Sequence, residues 1–220
     1  MKTVREIYDT YSLMPVLQHH QIRVAAVARA LCDHFSEPLD GTIVILACLF
    51  HDMGNIIKSQ FDRFPYDNES DKPQEYWEAV KRGYVERYGA DEHGATEAIA
   101  REIGLPEKGI DIIENMRFSK TRWIFEEAPW EYKIAKYSDL RAAPYGIVPL
   151  AERLEEANKR YAGRAFDSDE IISSTSLKAS EQVCFDLEKL IFSKTDLTPS
   201  DIIEASVIPI IEELWEYQIA

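Results

Sequence analysis

Residues 43–50 form an unbroken run of eight apolar side chains, Ile-Val-Ile-Leu-Ala-Cys-Leu-Phe, and the two residues that follow are His51 and Asp52. Such a run is buried on every side, so whatever it folds into lies near the centre of the molecule. Its length suits a buried strand or a short buried helix, and periodicity alone does not choose between them. The pair at its end is the sharper constraint. An imidazole and a carboxylate carried into a core are costly unless a partner satisfies them, and the cost is comparable with the whole stability margin of a domain. A metal ion is the simplest such partner.

Two other segments supply matching side chains. In residues 17–31 a helical reading puts His20 on one stripe with Val24, Val27 and Leu31, and so turns it inward. In residues 134–142 Asp139 shares a face with Ala135 and Ala142, whose small side chains allow close approach by other helices and by an ion. Two imidazoles and two carboxylates from three separate helices can therefore converge.

These segments together resemble the HD superfamily, the metal-dependent phosphohydrolases named for a His…His-Asp…Asp signature. His20 opens a His-x-x-Arg-Val-Ala stretch, Leu49-Phe-His51-Asp52-Met-Gly54 is similar to the family's Leu-Leu-His-Asp-Ile-Gly, and Asp139 lies in a late helix ending near Arg141. The resemblance covers roughly residues 15 to 145, the size of one helical domain. It implies an all-α fold, an HD-domain helical bundle with additional C-terminal helices, and it tips residues 42–50 toward helix. It also implies His20, His51, Asp52 and Asp139 as metal ligands, with Asp52 orienting the attacking water as well. Imidazole and carboxylate donors with open positions suit Mn, Co, Ni, Fe, Zn or Mg alike, so the ligand list does not choose the divalent ion.

The chain departs from the family pattern in two places. Many members carry Lys directly after the Gly of the central motif, whereas here Asn55 stands there and Lys58 follows. Members with two metals add further histidines before the last Asp, but this chain offers only His93, in Asp91-Glu-His93-Gly, and none near residues 112–116. One tightly held ion per chain is the expectation. His93 and Lys58 are candidate catalytic groups beside Asp52, and Arg23, Lys58, Arg63 and His93 are candidate contacts to substrate phosphate. Arg23, one turn after His20, either reaches that phosphate or pairs with a local carboxylate. Glu92 is a candidate proton donor to the leaving group. The cluster Arg117, Lys120 and Arg122 reads as a solvated face, as such clusters usually are.

Composition bounds the rest. At 220 residues and 45% hydrophobic, the chain can bury a full core. The first residues lack the apolar stretch of a secretory signal and no apolar run reaches the ~20 residues of a bilayer span, so a soluble cytoplasmic protein with no membrane partner is expected. Cys32, Cys48 and Cys184 are odd in number and set among apolar residues, which reads as core filling rather than as disulfides. The formal charge of −14 argues against tracking long nucleic acid, since phosphate contacts are made by clustered Lys and Arg. It leaves room for a small phosphorylated substrate, because exposed charges more than about 8–10 Å away are screened.

Punctuation divides the chain into helices over 73–88, 94–103, 106–116, from 130 to 143, 150–161, 176–192 and 199–217, with a loop over 61–72 and a break or kink at Pro209. Residues 1–148 are assigned to an HD-type metal-binding domain and 149–220 to a C-terminal helical extension packed on it. That extension completes the fold, shapes the pocket or makes the contact of a homo-oligomer. The activity expected is hydrolysis of a small phosphate ester, with a nucleotide implied by the resemblance alone. The alternatives from other classes are an iron-dependent oxygenase, against which the scarcity of histidines weighs, and a non-catalytic metal or nucleotide sensor.

Overall fold

The computed structural model describes residues 1–61, 70–161 and 174–219. The elements in chain order are β1 (Lys2–Thr3), α1 (Val4–Thr10), α2 (Pro15–Asp33), α3 (Gly41–Phe50), α4 (Gln74–Tyr88), α5 (Glu92–Ile103), α6 (Glu107–Asn115), α7 (Thr121–Glu126), α8 (Trp130–Asp139), β2 (Ala142–Ala143), β3 (Gly146–Ile147), α9 (Leu150–Tyr161), α10 (Ser174–Phe192), α11 (Glu204–Trp215) and β4 (Gln218–Ile219). The fold is all-α, with two short antiparallel ribbons. In one, Lys2 and Thr3 lie opposite Ile219 and Gln218; in the other, Ala142 and Ala143 lie opposite Ile147 and Gly146.

The apolar run is a helix. Asp40 starts it by accepting the Ile43 N–H at 3.2 Å, the short acceptor side chain that a helix N-terminus favours. From Ile43 to Phe50 every residue is buried, because α2, α6 and α8 pack around α3. Each large apolar side chain taken out of water there contributes about 1.5–3 kcal/mol. The wider stretch Gly41–Lys58 has a mean hydropathy of 1.3, and 72% of it is buried inside the fold. Its apolar character is thus met by other helices. Outside this centre, α11 lies along α2, α10 packs on α7 and α8, and α5 packs on α6.

After α3 the chain makes a 3-10 turn, Asn55–Lys58, and Gly54 brings this turn hard against the start of α5. A Cβ on Gly54 would lie 2.2 Å from the Glu92 carbonyl oxygen and 2.9 Å from the Thr96 nitrogen, so only the absence of a side chain permits the approach. Two bonds fasten it. The Gly54 N–H donates to Thr96 Oγ1 at 2.9 Å, and that hydroxyl donates to the Glu92 carbonyl at 2.8 Å.

Three boundaries differ from the sequence reading. The helix expected to run from 130 to 143 ends at Asp139, and residues 142–147 turn back as the β2–β3 hairpin. Pro144 disfavours helical backbone at the residue before it, and the Arg141 side chain holds the returning strand through the Val148 carbonyl at 2.6 Å. The last helical stretch begins as a separate 3-10 turn, Pro199–Asp201, where Thr198 and Asp201 form the expected capping box. Its main helix then runs through Pro209 without a break. The carbonyl that Pro209 leaves unbonded belongs to Ala205, which is exposed, where solvent can take the place of the lost donor.

The two environments of glycine set up a paired test. Gly54→Ala should lower stability by about 2 kcal/mol or more, since its Cβ meets backbone rather than a side chain that can move. Gly83→Ala, at an exposed position in the middle of α4 with nothing within 4 Å of the new Cβ, should raise it by about 0.5–1 kcal/mol. Urea unfolding of the two variants checks both signs.

Candidate metal centre

The C-terminal end of α3 is buried, so its last carbonyls need donors from outside the helix. The Tyr8 hydroxyl gives one to the Leu49 carbonyl at 2.6 Å. His51 gives the other, with Nδ1 2.8 Å from the Cys48 carbonyl. A carbonyl accepts only, so Nδ1 carries a proton, and Nε2 is the nitrogen that holds the lone pair whenever the ring is neutral. Among the described residues that Nε2 is buried with no hydrogen-bond partner. The nearest carboxylate oxygens, Asp139 Oδ1 at 3.7 Å and Asp52 Oδ1 at 3.8 Å, stand beyond hydrogen-bond reach.

Asp52 is placed by its own backbone. Its N–H donates to Oε1 of the fully buried Gln21 at 3.0 Å, which ties the turn after α3 to α2 one residue beyond His20. The His20 ring then lies 5.3 Å from the His51 ring between centroids, with Nε2 3.7 Å from Asp52 Oδ2 and 3.2 Å from Asp139 Oδ1. One ligand atom from each of His20, His51 and Asp52 falls within 4.8 Å of the others. Asp139, the last residue of α8, adjoins this group through the two imidazoles.

The electrostatics are those of a pocket for positive charge. Burial would push the His51 imidazole down, but Asp52 and Asp139 outweigh it and the pKa rises to about 9. Burial likewise pushes the Asp139 carboxyl up, and the imidazoles of His20 and His51 together with the Lys136 ammonium bring it well below the usual carboxylate range. Asp52 follows the same pattern: burial raises it, and His51, Lys58 and His20 lower it. An orphaned imidazole nitrogen facing two ionised carboxylates, with a second imidazole beside it, is a donor set that a divalent ion fits.

The remaining candidates lie in three different situations. Lys58 and His93 flank Glu92, whose Oε1 is 3.8 Å from Lys58 Nζ and 3.8 Å from His93 Nε2, and the Gly54 contact holds this trio beside the His51-Asp52 turn. Arg23 takes the second of the two roles read for it: its Nε is 2.8 Å from Glu204 Oε1 on α11, and Glu204 also receives the Ile147 N–H at 2.9 Å. Arg63 lies outside the described residues. His19 is exposed, edge-on to Trp215, and His34 pairs with Asp196 at 2.8 Å.

Two buried polar side chains beside the site were not singled out from the sequence. Gln21 shares a helical face with Ala25 and Ala28, and a polar residue on that small-residue face is a signal that periodicity contains. Lys136, three residues before Asp139, sits among Ile134, Ala135 and Tyr137 on a helix that is buried over most of its length.

A family model described as "HD domain" matches residues 17–171, more than half of the chain and a span that includes all four converging side chains. No curated protein and no solved structure matches the chain. The match and the constellation agree: the chain belongs to the HD domain family, whose members are generally metal-dependent phosphohydrolases.

Proposed function

We propose that the protein hydrolyses a phosphate ester of a small molecule, with a nucleotide as the favoured class, at one divalent ion held by His20, His51, Asp52 and Asp139. The observation that carries this reading is the buried, unpartnered Nε2 of His51 aimed at the same space as the Asp52 and Asp139 carboxylates. A polar atom in that position destabilises the fold unless something occupies the space. The nucleotide rests on family membership.

A divalent ion in that place supplies a water acidified toward neutrality and a positive charge for a non-bridging phosphoryl oxygen. The chain's own groups do the rest. Asp52 orients the attacking water. Lys58 and His93, on either side of Glu92, bind the phosphoryl oxygens. Glu92 hands a proton to the departing oxygen. In this reading Arg63 adds positive charge, and Arg23 contributes only if it leaves Glu204. These residues are chosen for chemistry and proximity, since a positioned acid and cations in a partly desolvated cleft stabilise the charge that develops at phosphorus.

The reading is tested by offering nucleoside mono-, di- and triphosphates and cyclic nucleotides to the protein reconstituted with Mn, Co, Ni or Mg. Phosphate release from one class supports it. Tight nucleotide binding without turnover by every metal form would instead make the protein a sensor.

Metal content gives a second expectation. Among the described residues one His/carboxylate group brings its ligand atoms within 4.8 Å of one another, so elemental analysis after dialysis should find one retained ion per chain. Saturating metal should also raise the unfolding free energy by about 2.7 kcal/mol at a concentration 100 times Kd, and His51→Ala should remove both effects. Two retained equivalents would refute the single-ion site.

Division of labour gives a third. Asp52→Asn keeps the shape and loses the charge, so it should lower turnover by more than about 100-fold, beyond the range for residues that only support a ligand. Lys58→Ala should cost about tenfold with metal content unchanged. Asp52→Asn protein that carries its metal and turns over at the wild-type rate would rule out this mechanism.

A further inference from the structure

Lys136 is 3% exposed. Its Nζ donates to the Met116 carbonyl at 2.8 Å, lies over the Phe118 ring at 5.6 Å and stands 3.6 Å from Asp139 Oδ2. Enclosing an ammonium is costly, and a buried ion pair seldom stabilises a fold more than well-packed apolar side chains of the same volume would. Stability therefore gives no reason for a lysine at this place in α8. The geometry of its partner does. Asp139 directs Oδ1 toward the two imidazoles, 3.2 Å from His20 Nε2 and 3.7 Å from His51 Nε2, and turns Oδ2 toward Lys136. The two oxygens face opposite kinds of neighbour, and the ammonium is itself fixed by the carbonyl of Met116, the residue after α6.

We propose that Lys136 is a positioning residue that fixes the rotation of the Asp139 carboxylate, so that Asp139 presents one oxygen to the metal pocket and keeps the other against the ammonium. This inference rests on the reading of His20, His51, Asp52 and Asp139 as metal ligands, and it deepens that reading by naming the residue that orients one of them. A carboxylate held in this way offers a single donor atom and leaves a coordination position for water or substrate. A freely rotating one would present either oxygen, or both.

Cobalt(II) provides the readout without any need for a substrate, because its visible spectrum reports the number and arrangement of its ligands and its titration gives Kd. Lys136→Met, Lys136→Gln and Lys136→Arg would each be titrated as the full-length protein, with circular dichroism confirming the helical fold. Lys136→Met and Lys136→Gln should weaken Co binding about tenfold, as loss of a residue that orients a metal ligand typically does, and should change the visible spectrum. Lys136→Arg, which keeps the charge, should restore most of the affinity. The decisive arm is a double-mutant cycle. In an Asp139→Asn background Lys136→Gln should change Kd by less than about twofold, because a residue acting only through Asp139 has nothing left to orient.

Unchanged or tighter Co binding by Lys136→Gln overturns the proposal, since the ammonium would then only repel the ion. An equal loss in the wild-type and Asp139→Asn backgrounds also overturns it, because the effect would then be general packing. Should Lys136→Met fail to fold, the Gln and Arg variants and the cycle decide. Failure of the wild-type chain to bind Co at all would instead sink the metal reading, and this inference with it.

Discussion

The hydrogen bond from His51 Nδ1 to the Cys48 carbonyl joins two requirements that would otherwise conflict. An all-apolar helix such as α3 has to be buried, and a buried helix end leaves carbonyls without water. The chain answers with the imidazole of the next residue and with the hydroxyl of Tyr8. By spending its Nδ1 proton on the helix, His51 has its tautomer chosen for it, and the unprotonated nitrogen of the neutral ring points away from α3 into the space shared with Asp52 and Asp139. The same bond ends the core helix and aims the candidate ligand atom. Every other part of the site is arranged around that direction.

The surrounding helices meet this point by different means. On α2, His20 enters the cluster while its neighbour Gln21 grips the backbone of Asp52, so one helix supplies a side chain and sets the position of another. On α5, the missing side chain of Gly54 lets the helix start come within van der Waals contact of the turn, which brings Glu92 and His93 alongside Lys58. On α8, Asp139 is the final helical residue, and its rotation is constrained by Lys136 within the same helix. His20 and Asp139 sit on helices, and His51 and Asp52 on the turn that directly follows α3 and is pinned by Gln21 and by the Cys48 carbonyl; such placement limits the errors in position that weaken a metal site.

Much of this was legible in the sequence because the relevant signals are local or periodic. The apolar run announced a central element, and the stripe of Val24, Val27 and Leu31 set the facing of His20. The Pro and Gly punctuation located most helices to within a few residues. The ambiguity between helix and strand for residues 43–50 was intrinsic, since burial on all sides erases the periodicity that distinguishes them. The end of α8 was misjudged because the run 134–143 has helical composition throughout. What stops the helix is Pro144 acting backward on Ala143 and the long reach of Arg141 to Val148, the second of which is tertiary. The pairing of Arg23 with Glu204 spans 181 residues of chain, and no local pattern encodes a bond of that separation. Lys136 was missed because a lysine in a helix of mixed polar and apolar residues reads as solvent-facing until that helix is known to be enclosed.

The C-terminal helices are fastened to the site through buried polar bonds rather than through apolar packing alone. Arg141, two residues beyond Asp139 and 2% exposed, donates to Val148, to the Tyr137 hydroxyl and to the carbonyls of Pro199 and Ile202. Tyr137 in turn donates to Glu188 on α10 at 2.7 Å. A guanidinium bonded through all three of its nitrogens fixes direction as well as distance, because its planar fork accepts little rotation. The backbone on both sides of the Asp139 turn is therefore anchored to α10 and to the segment leading into α11, while Arg23 and Glu204 join α11 back to the helix that carries His20. Two of the three helices that bring ligand candidates together thus take their relative position partly from residues beyond 180. Loss of those bonds would leave buried polar groups unpaired next to the cluster, and the strain would fall on the geometry of Asp139 before it reached the apolar centre around α3.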